Sequence, residues 1–247
     1  MQHGESDKCV EGGCGVLRVT LEGEEVELLA SRAAVWRRGV GVKGGGGLVG
    51  CGGWGGDVLL VSDLHLGKAD AMRSFGSAVP AEAILRDELS RLEAAILTSG
   101  VSRVLVLGDL LHAPAGLSEM LVQTVKAWVE ATGVTLEVIP GNHDRCLGRV
   151  AAAWKLVIHP PLLEEGPFMF THDGAGAGGP FVWGGHVHPA VIVRNGGDRI
   201  RLPAFVVGPG AAILPAFSRF TAGVPMRTGG KDRVFGVCEG KVLEIRG

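Results

Sequence analysis

The sequence feature that most constrains the fold is a series of three short apolar segments between residues 58 and 139, separated by two longer segments with helical spacing. The apolar segments are rich in β-branched residues and bounded by turn-forming residues, which is typical of buried strands: Val58–Val61, Val104–Leu107 and Val134–Ile139. A strand–helix–strand–helix–strand order requires parallel pairing of the strands with right-handed crossovers. The sequence therefore predicts an α/β fold built on a parallel sheet.

Two helices are predicted between these strands. The first begins after Pro80 and ends before Gly100, and apolar residues recur through it at helical spacing. The second has Ser118 as its candidate N-cap and ends at Gly133. The segment Met72–Val79, which leads into the first helix, is predicted to be a loop.

Shorter strands are predicted on either side of this region. Val16–Leu21 and Val26–Ala30 form a candidate hairpin that Ala33–Trp36 extends, and a short helical segment is expected near Arg149–Lys155. Glycine and proline then punctuate five candidate strands: Phe168–Thr171, Ala190–Arg194, Ile200–Val207, Val234–Cys238 and Val242–Ile245. We expect a second, more antiparallel sheet packed on the first with helices outside. The predicted fold is thus α/β (α+β by some schemes), a four-layer αββα sandwich of two mixed β-sheets.

Length and glycine content predict the domain organisation. A chain of 247 residues can form one domain with a large core. We expect a flexible tail over residues 1–15, a single domain over 16–247, and a glycine-rich insertion at 39–56. No apolar run approaches the ~18–20 residues that cross a bilayer, and the N-terminus lacks the layout of a secretory signal. A cytoplasmic protein without membrane association is therefore expected.

The charge balance and the cysteines show which kinds of binding and cross-linking the sequence does not favour. The formal net charge is −2, from 24 basic and 26 acidic residues, so the chain lacks the strong basic excess of many nucleic-acid binders. If it binds DNA, local positive charge or bound metal must provide the attraction. The five cysteines are scattered and show no C-x-x-C spacing, which argues against a disulfide framework or a zinc ribbon.

Side chains that can bind metal gather at the carboxyl ends of the predicted strands, where ligand sites of open α/β sheets lie. Asp63 and His65 are two residues apart, as are His186 and His188, and on an extended backbone the members of each pair would point the same way. Further polar residues follow the other strands: Asp109, Asn142, His143 and His172. Five histidines in such places would be a costly way to build a core unless they bind something. A metal ion is the simplest partner.

In chain order these residues form five motifs: Asp63-Leu64-His65, Gly108-Asp109, Gly141-Asn142-His143-Asp144, His172 and Gly185-His186-Val187-His188. With them the sequence resembles the calcineurin-like metallophosphoesterases, and the resemblance implies their fold and a dinuclear metal centre. Family roles, transferred residue by residue, assign Asp63, His65 and His188 to the first ion. They assign Asn142, His172 and His186 to the second ion, with Asp109 bridging the two.

The same resemblance implies a mechanism for hydrolysing phosphodiester bonds. Two divalent ions ~3.5–4 Å apart neutralise the phosphate oxygens and activate a bridging hydroxide for in-line attack on phosphorus. Asn142 and His143 are the catalytic candidates, with His143 as proton donor to the leaving group and phosphate contact as its second role. The donor set of oxygen and imidazole suits manganese, iron or zinc.

Other polar residues near the motifs have weaker functional interpretations. Arg73 and His112 are candidates for substrate binding, with a solvated loop charge and a structural hydrogen bond as the respective alternatives. Asp144 could support the ligands from behind or cap a helix. Lys68 could hold a phosphate, but a solvated loop charge is favoured for it, and Asp173 could orient His172. Structural roles are favoured for His159 and Trp183.

Segments beyond the motifs narrow the resemblance. The runs HLGKADAMRSFGSAVP, GDLLH, GHVHP, RIRLPAF and LPAFSRFTAG look like those of the bacterial ligase-associated DNA-damage-response endonucleases, the PdeM subfamily. This resemblance implies a manganese-dependent endonuclease that acts in DNA repair beside an ATP-dependent DNA ligase and a helicase. The chain departs from that pattern in its glycine-rich insertion and in Ser218, Arg219 and Ala222, which stand where glycines are expected.

Two alternatives remain open at this point. The first is a small-molecule phosphoesterase similar to the UDP-diacylglucosamine pyrophosphohydrolases, which share the SDLHLG run. Against it, the segment between Asp144 and His172 leaves little room for a cap that binds acyl chains. The second alternative is a non-catalytic metal-binding scaffold, whose relatives usually lose histidines that this chain retains.

Overall fold

The first sheet contains seven strands that lie side by side in chain order. The computed structural model describes residues 15–38, 56–174, 179–195, 198–226 and 230–245. The strands of this sheet are β1 (Val16–Leu21), β2 (Glu24–Leu29), β3 (Ala34–Arg37), β4 (Val58–Val61), β5 (Arg103–Leu107), β6 (Thr135–Ile139) and β7 (Val157–Ile158). Pairing is antiparallel from β1 to β4 and parallel from β4 to β7. The predicted hairpin and the predicted parallel core are therefore both present.

Helices connect the parallel strands of the first sheet. They are α1 (Lys68–Ser74), α2 (Ala81–Ser99) and α3 (Glu119–Thr132). The Ser118 hydroxyl accepts a hydrogen bond from the backbone N–H of Leu121 at 3.2 Å, so the predicted N-cap is confirmed. α2 and α3 end at Gly100 and Gly133, both in the left-handed conformation, as the sequence predicts.

Two local predictions are only partly right. The segment predicted as a loop at Met72–Val79 begins inside α1, whose seven residues bury only Ala69 and Ala71. A helix this short shows no apolar periodicity, and its contacts with the loop at Pro114–Gly116 and with α2 stabilise it instead. In the predicted helical segment near Arg149–Lys155, turns follow a single 3₁₀ turn at Leu147–Arg149.

The second sheet contains nine strands of mixed direction. They are β8 (Leu162–Glu165), β9 (Phe168–Thr171), β10 (Phe181–Gly184), β11 (Pro189–Asn195), β12 (Asp198–Val207), β13 (Ala211–Ile213), β14 (Val224–Pro225), β15 (Arg233–Cys238) and β16 (Lys241–Ile245). The predictions miss β7, β8, β10, β13 and β14. Each of these is two to four residues long, and its pairing partner rather than its own pattern makes it a strand.

Alternate residues of the first sheet enter two different cores. Leu59 and Val61 of β4 pack against α2 and α3 in the outer core. Val58 and Leu60, on the opposite face, pack against aromatic residues of the second sheet in the inner core. The inner core contains Phe168, Phe170, Phe181, Trp183, Phe205 and Phe235. One sheet therefore separates the helices from the second sheet.

The predicted α/β sandwich of two mixed sheets is confirmed. The described ranges after residue 132 contain no α-helix, so the second helical layer of the αββα arrangement is not seen in them. The predicted tail (1–15) and glycine-rich insertion (39–56) lie outside the described residues apart from Gly15 and Gly56, and they stay predictions. In the described part of the chain, no helix has the length and apolar character needed to cross a membrane.

Glu88 is a buried carboxyl group on α2, with 7% of its surface exposed. The Ser218 hydroxyl donates a hydrogen bond to it, and Arg91 and Lys68 lie near enough to favour its charged form. Burial outweighs these contacts and raises the pKa of Glu88 to about 7. The folded protein therefore holds a proton on Glu88 over a pH range in which the unfolded chain releases it.

Replacing Glu88 by glutamine should stabilise the protein more at pH 8 than at pH 5. The pKa of Glu88 is raised above its ordinary value of 4.5. The wild type therefore loses stability as pH rises from about 4.5 to about 7, and this loss is complete and constant at higher pH. The variant should gain about 1–3 kcal/mol of unfolding free energy at pH 8 relative to pH 5. Urea unfolding of both proteins at the two pH values measures this gain.

The matched control is Glu82→Gln, which removes an exposed carboxylate from the same helix. It should change the unfolding free energy by the same small amount at both pH values. A Glu88→Gln variant that is less stable than the wild type at pH 8 would show that the native protein depends on the charged carboxylate.

Candidate metal centre

Loops from both sheets meet at one edge of the sandwich. The loops after β4 and β5 are joined by hydrogen bonds from Asp63 N to Gly108 O at 3.1 Å and from His65 N to Asp109 O at 2.8 Å. In the second sheet, Gly185 N donates to His172 O at 2.9 Å and joins the loops after β9 and β10. Because β4 and β5 are parallel neighbours, as are β9 and β10, their carboxyl ends deliver polar residues to one place.

The first cluster consists of Asp63, His65 and His188, whose ligand atoms all lie within 4.8 Å of one another. His188 Nε2 is 3.1 Å from Asp63 Oδ1 and 3.3 Å from His65 Nε2. Asp63 and His65 are buried and His188 is half-buried. Burial lowers the pKa of His65 to about 4, so its imidazole is neutral, the form that binds metal.

The second cluster consists of Asp109, His172 and His186, with Asn142 beside them. His172 Nε2 is 3.1 Å from His186 Nδ1, 3.2 Å from Asn142 Oδ1 and 3.5 Å from Asp109 Oδ2. The same Asp109 oxygen is 3.9 Å from His65 Nε2 of the first cluster. Asp109 therefore lies between the clusters, where a bridging ligand would lie.

The donor atoms of both clusters fit divalent cations. His172 Nδ1 lies 2.9 Å from the carbonyl oxygen of Leu107, which only accepts, so Nδ1 carries a proton and Nε2 is the nitrogen that can bind a cation. Asp63 Oδ1 is buried, and although His188 Nε2 lies 3.1 Å away, no donor reaches this oxygen in hydrogen-bond geometry. Metal–nitrogen bonds of ~2.0–2.1 Å place two ligands of one ion roughly 3–3.5 Å apart. The distances from 3.1 to 3.5 Å within each cluster agree with this spacing.

Cation binding by the second cluster should depend on pH, because His172 carries a proton that a cation must displace. Burial opposes the charge of His172, but its hydrogen bonds to Asp109 and Leu107 raise the pKa of His172 to about 9. In the absence of a cation, the imidazolium of His172 therefore partly neutralises the Asp109 carboxylate. A cation that binds at Nε2 must displace this proton, so metal binding releases protons.

Five of the nine non-glycine residues with positive φ in the described ranges are predicted ligands. They are Asp63 (55°), His65 (49°), Asp109 (52°), His186 (68°) and His188 (48°). Left-handed backbone is strained for such residues and gathers at functional sites. The extended backbone assumed in the sequence analysis is therefore wrong here. The members of the first pair still converge, whereas His186 and His188 point to different clusters.

The glycines of the motifs are explained by contact with the ligands. A Cβ at Gly108 would overlap the ring of His172, and one at Gly141 would overlap the carboxylate of Asp109. A Cβ at Gly185 would overlap Ser62 and approach Asp63. Only a hydrogen fits at each of these three positions.

Gly108→Ala should weaken metal binding and catalysis more than its effect on stability explains. Gly108 has a φ of 79°, so alanine costs about 1–2 kcal/mol of folding stability. The added methyl group also displaces His172, and loss of its position should lower metal affinity roughly 10–100-fold. Calorimetric metal titration and thermal unfolding measure the two effects separately.

Gly100→Ala is the matched control. Gly100 has a φ of 69°, and nothing lies within 4 Å of an added Cβ. This variant should lose only the ~1–2 kcal/mol that left-handed backbone costs alanine, without the overlap at Gly108, and should keep the metal affinity of the wild type. Equal metal affinities of the two variants would contradict the contact with His172.

His143 forms a third group with His65 and His112, whose ligand atoms all lie within 4.8 Å of one another, and backbone contacts set its orientation. Its Nδ1 is 2.7 Å from the carbonyl oxygen of His112, and its backbone N–H donates to Asp109 Oδ1 at 2.9 Å. The rings of His112 and His143 stack with centroids 5.2 Å apart, and the ring of His65 lies 5.0 Å from that of His143. Since Nδ1 must donate to the carbonyl, Nε2 is the atom of His143 that can exchange a proton with a ligand.

Asp144 and Ser62 support the ligands from behind. The Asp144 carboxylate accepts hydrogen bonds from the backbone N–H groups of Leu111 at 2.8 Å and Gly141 at 2.9 Å, which joins the loops after β5 and β6. The buried Ser62 hydroxyl donates to Asp63 Oδ2. Sequence reasoning missed Ser62, and its position directly before Asp63 was the only available signal.

The residues with weaker functional interpretations lie in different parts of the structure. Arg73 is exposed and lines a cleft beside Pro80 and Arg86, and none of the described residues lining that cleft is a predicted ligand. Lys68 lines a small cavity together with His65 and Glu88. The remaining three are Asp173, which is exposed, Trp183, which packs in the inner core, and His159, whose Nε2 lies 2.6 Å from Glu137 Oε2.

Comparison with known proteins identifies the family. Residues 56–199, which contain all five motifs, match the model of the calcineurin-like phosphoesterases. The chain belongs to this family. Calcineurin-like phosphoesterases are hydrolases that depend on a dinuclear metal centre, and this chain has clusters of histidine and aspartate that could bind metal.

Solved structures show how far the likeness extends. The chain is similar to the nuclease MPE of Pseudomonas putida, with 27% identity over 93% of this chain and 100% of that one, and a TM-score of 0.74. Weaker likenesses are to the phosphoesterase Yfce of E. coli (16% identity, 76% and 97% coverage, TM-score 0.40) and to a double mutant of Vps29 from Entamoeba histolytica (15%, 76% and 99%, 0.32). Neither of the weaker likenesses bears on the site. No curated protein matches the chain significantly in sequence.

Proposed function

We propose that this calcineurin-like phosphoesterase is an endonuclease that hydrolyses phosphodiester bonds of DNA with two divalent ions, most favourably Mn²⁺. The observation that carries the proposal is the likeness to a nuclease over 93% of the chain, combined with both metal-capable clusters in place. The ligands are assigned as the motifs imply: Asp63, His65 and His188 for one ion, Asn142, His172 and His186 for the other, and Asp109 for both. Iron or zinc could satisfy the same donors.

The chain's own residues account for the placement of charge and protons. When bound, two divalent ions neutralise the phosphate oxygens and lower the pKa of a water molecule. The buried carboxylates of Asp63 and Asp109 provide negative charge for the cations, and the hydrogen bond from Ser62 holds Asp63 in place. His143 Nε2 delivers a proton to the leaving oxygen, while the His112 carbonyl holds Nδ1. The ring of His112 stacks on that of His143 and helps to hold its plane, and we assign His112 a contact with substrate as its second role.

The described segment between Asp144 and His172 forms no cap for an acyl-chain substrate. Residues 145–171 contain turns, β7, β8 and β9, with no helix longer than one 3₁₀ turn. This segment would therefore not cover the acyl chains of a lipid-linked nucleotide. This observation favours DNA over UDP-diacylglucosamine as the substrate. A role in DNA repair beside a ligase and a helicase is part of the proposal and rests on the sequence resemblance. A cytoplasmic location is also part of it and rests on the scattered cysteines without C-x-x-C spacing, which agree with a reducing compartment.

A screen that varies metal and substrate tests the proposal. Protein freed of metal by chelation is reloaded with Mn²⁺, Fe²⁺ or Zn²⁺ and given nicked, single-stranded and duplex DNA, UDP-diacylglucosamine and bis(p-nitrophenyl) phosphate. We expect DNA cleavage that is strongest with Mn²⁺ and absent after chelation. Cleavage of UDP-diacylglucosamine without cleavage of DNA would overturn the proposal, and inactivity on every substrate with every metal would indicate a scaffold.

A further inference from the structure

The hairpin of β11 and β12 extends directly from the metal centre. β11 begins at Pro189, the residue after His188. The two strands pair in antiparallel register from Ala190 opposite Pro203 to Asn195 opposite Asp198. At the base of the hairpin, Val224 N donates to His188 O at 2.8 Å. The position of the hairpin is therefore coupled to that of a predicted ligand.

One face of this hairpin carries three arginines. Arg194 lies directly opposite Arg199, and Arg201 lies opposite Ile192. Because side chains alternate along each strand, these four residues share one face. All three arginines are exposed. We call the set of Arg194, Arg199 and Arg201 the arginine ladder.

The arginine ladder is not neutralised by the described part of the chain. Like charges directly opposite each other destabilise an antiparallel pair. None of the three arginines forms an ion pair with a described residue, and Arg201 only donates to the carbonyl oxygen of Gly223 at 3.2 Å. The one acidic residue of the two strands, Asp198, is on the opposite face. A chain with net charge −2 thus concentrates unpaired positive charge on the hairpin that begins at its metal centre.

The ladder faces the same side as a loop that touches the metal centre. Gly223 packs against Ala190, which shares the face of Arg194. The loop that contains Gly223 begins at Ser218, whose backbone N–H donates to Asp63 O at 3.3 Å. At ~3.3 Å per strand residue, the register places the ladder roughly 13–20 Å from His188.

We propose that the arginine ladder binds the phosphate backbone of a nucleic-acid strand whose scissile phosphate occupies the metal centre. This inference rests on the proposed function and specifies its substrate as a polynucleotide rather than a small diester. Duplex DNA carries one phosphate per ~3.4 Å along each strand, so the ladder lies about four to six phosphates from the cleaved bond. Guanidinium groups bind phosphate in two-pronged geometry, which suits arginine at these positions. The local positive charge that the acidic chain needs for DNA is thereby supplied.

The test compares the triple variant Arg194→Gln, Arg199→Gln, Arg201→Gln with wild type on two substrates. On a 20-nucleotide single-stranded DNA, kcat/KM should fall about 10–100-fold at low salt. The slope of log kcat/KM against log salt should become shallower by about 2, because each lost phosphate contact removes roughly 0.7–0.9 from it. Activity on bis(p-nitrophenyl) phosphate should be unchanged, since that diester does not reach the ladder.

Two controls separate the ladder from general effects. The triple lysine variant should keep the salt dependence, because it keeps the charge. A charge-matched variant removes three arginines that pair with carboxylates elsewhere, Arg18→Gln, Arg86→Gln and Arg233→Gln, and should behave as wild type. An unchanged salt slope in the glutamine ladder variant, or an equal loss in the charge-matched variant, would overturn the inference. A wild type that cleaves small diesters but no DNA would overturn the proposed function instead.

Discussion

His143→Ala should lower the rate of DNA cleavage by about 10²–10⁴-fold while the protein still binds two metal ions. His143 is oriented by the carbonyl of His112 and by Asp109, so that Nε2 is the atom available to the leaving oxygen. Without it, an alkoxide must leave unprotonated. Single-turnover kinetics with a 5′-labelled oligonucleotide measures the rate, and calorimetric titration with Mn²⁺ measures the stoichiometry.

A second substrate distinguishes proton donation from phosphate contact. In bis(p-nitrophenyl) phosphate the leaving nitrophenolate is stable without a proton. The variant should therefore lose at least tenfold less activity on this diester than on DNA. Equal losses on both substrates would show that His143 acts by contacting the phosphate, and the proton-donor role would be wrong.

Asp109→Asn should abolish activity more completely than any other conservative change at the site. The substitution keeps the size of the side chain and an oxygen that can accept the hydrogen bond from His143 N, but it removes the charge between the two clusters. Loss of several kcal/mol of cation binding and transition-state stabilisation corresponds to a decrease of about 10²–10⁴-fold or more in kcat/KM. Mn²⁺ titration should show weaker binding at both clusters.

The control for Asp109→Asn is Asp87→Asn on α2. Asp87 is exposed and lies 3.8 Å from Arg219, outside both clusters. This control also replaces an aspartate by asparagine, and it should leave metal binding and kcat/KM unchanged. Full occupancy of two ions by Asp109→Asn would show that this carboxylate does not bridge them.

Some of this structure was predictable because it depends on neighbours in sequence. The apolar run of β4 and the periodic leucines of α2 report burial directly, so these elements were found nearly to their ends. The N-cap at Ser118 was found because its partner, Leu121, is only three residues away. α1 and β10 were not found, since contacts with distant segments stabilise them.

The candidate site was likewise only partly predictable from the sequence. The order and spacing of the motifs identified the family, which the match over residues 56–199 confirms. They did not indicate that the ligands would have left-handed backbone, nor that His186 and His188 would face different clusters. The arginine ladder was also invisible, because the predicted strand began at Ile200 and left Arg199 outside the pairing.

The sequence alone determined which residues are apolar, where the chain turns, and in which order the acidic, amide and imidazole groups occur. Only the tertiary structure decided which of these groups meet, because two sheets bring loops more than a hundred residues apart to within hydrogen-bonding distance, as His188 and Asp63 show. Periodicity is a property of successive residues, whereas convergence depends on strand register and sheet packing, which no short segment encodes.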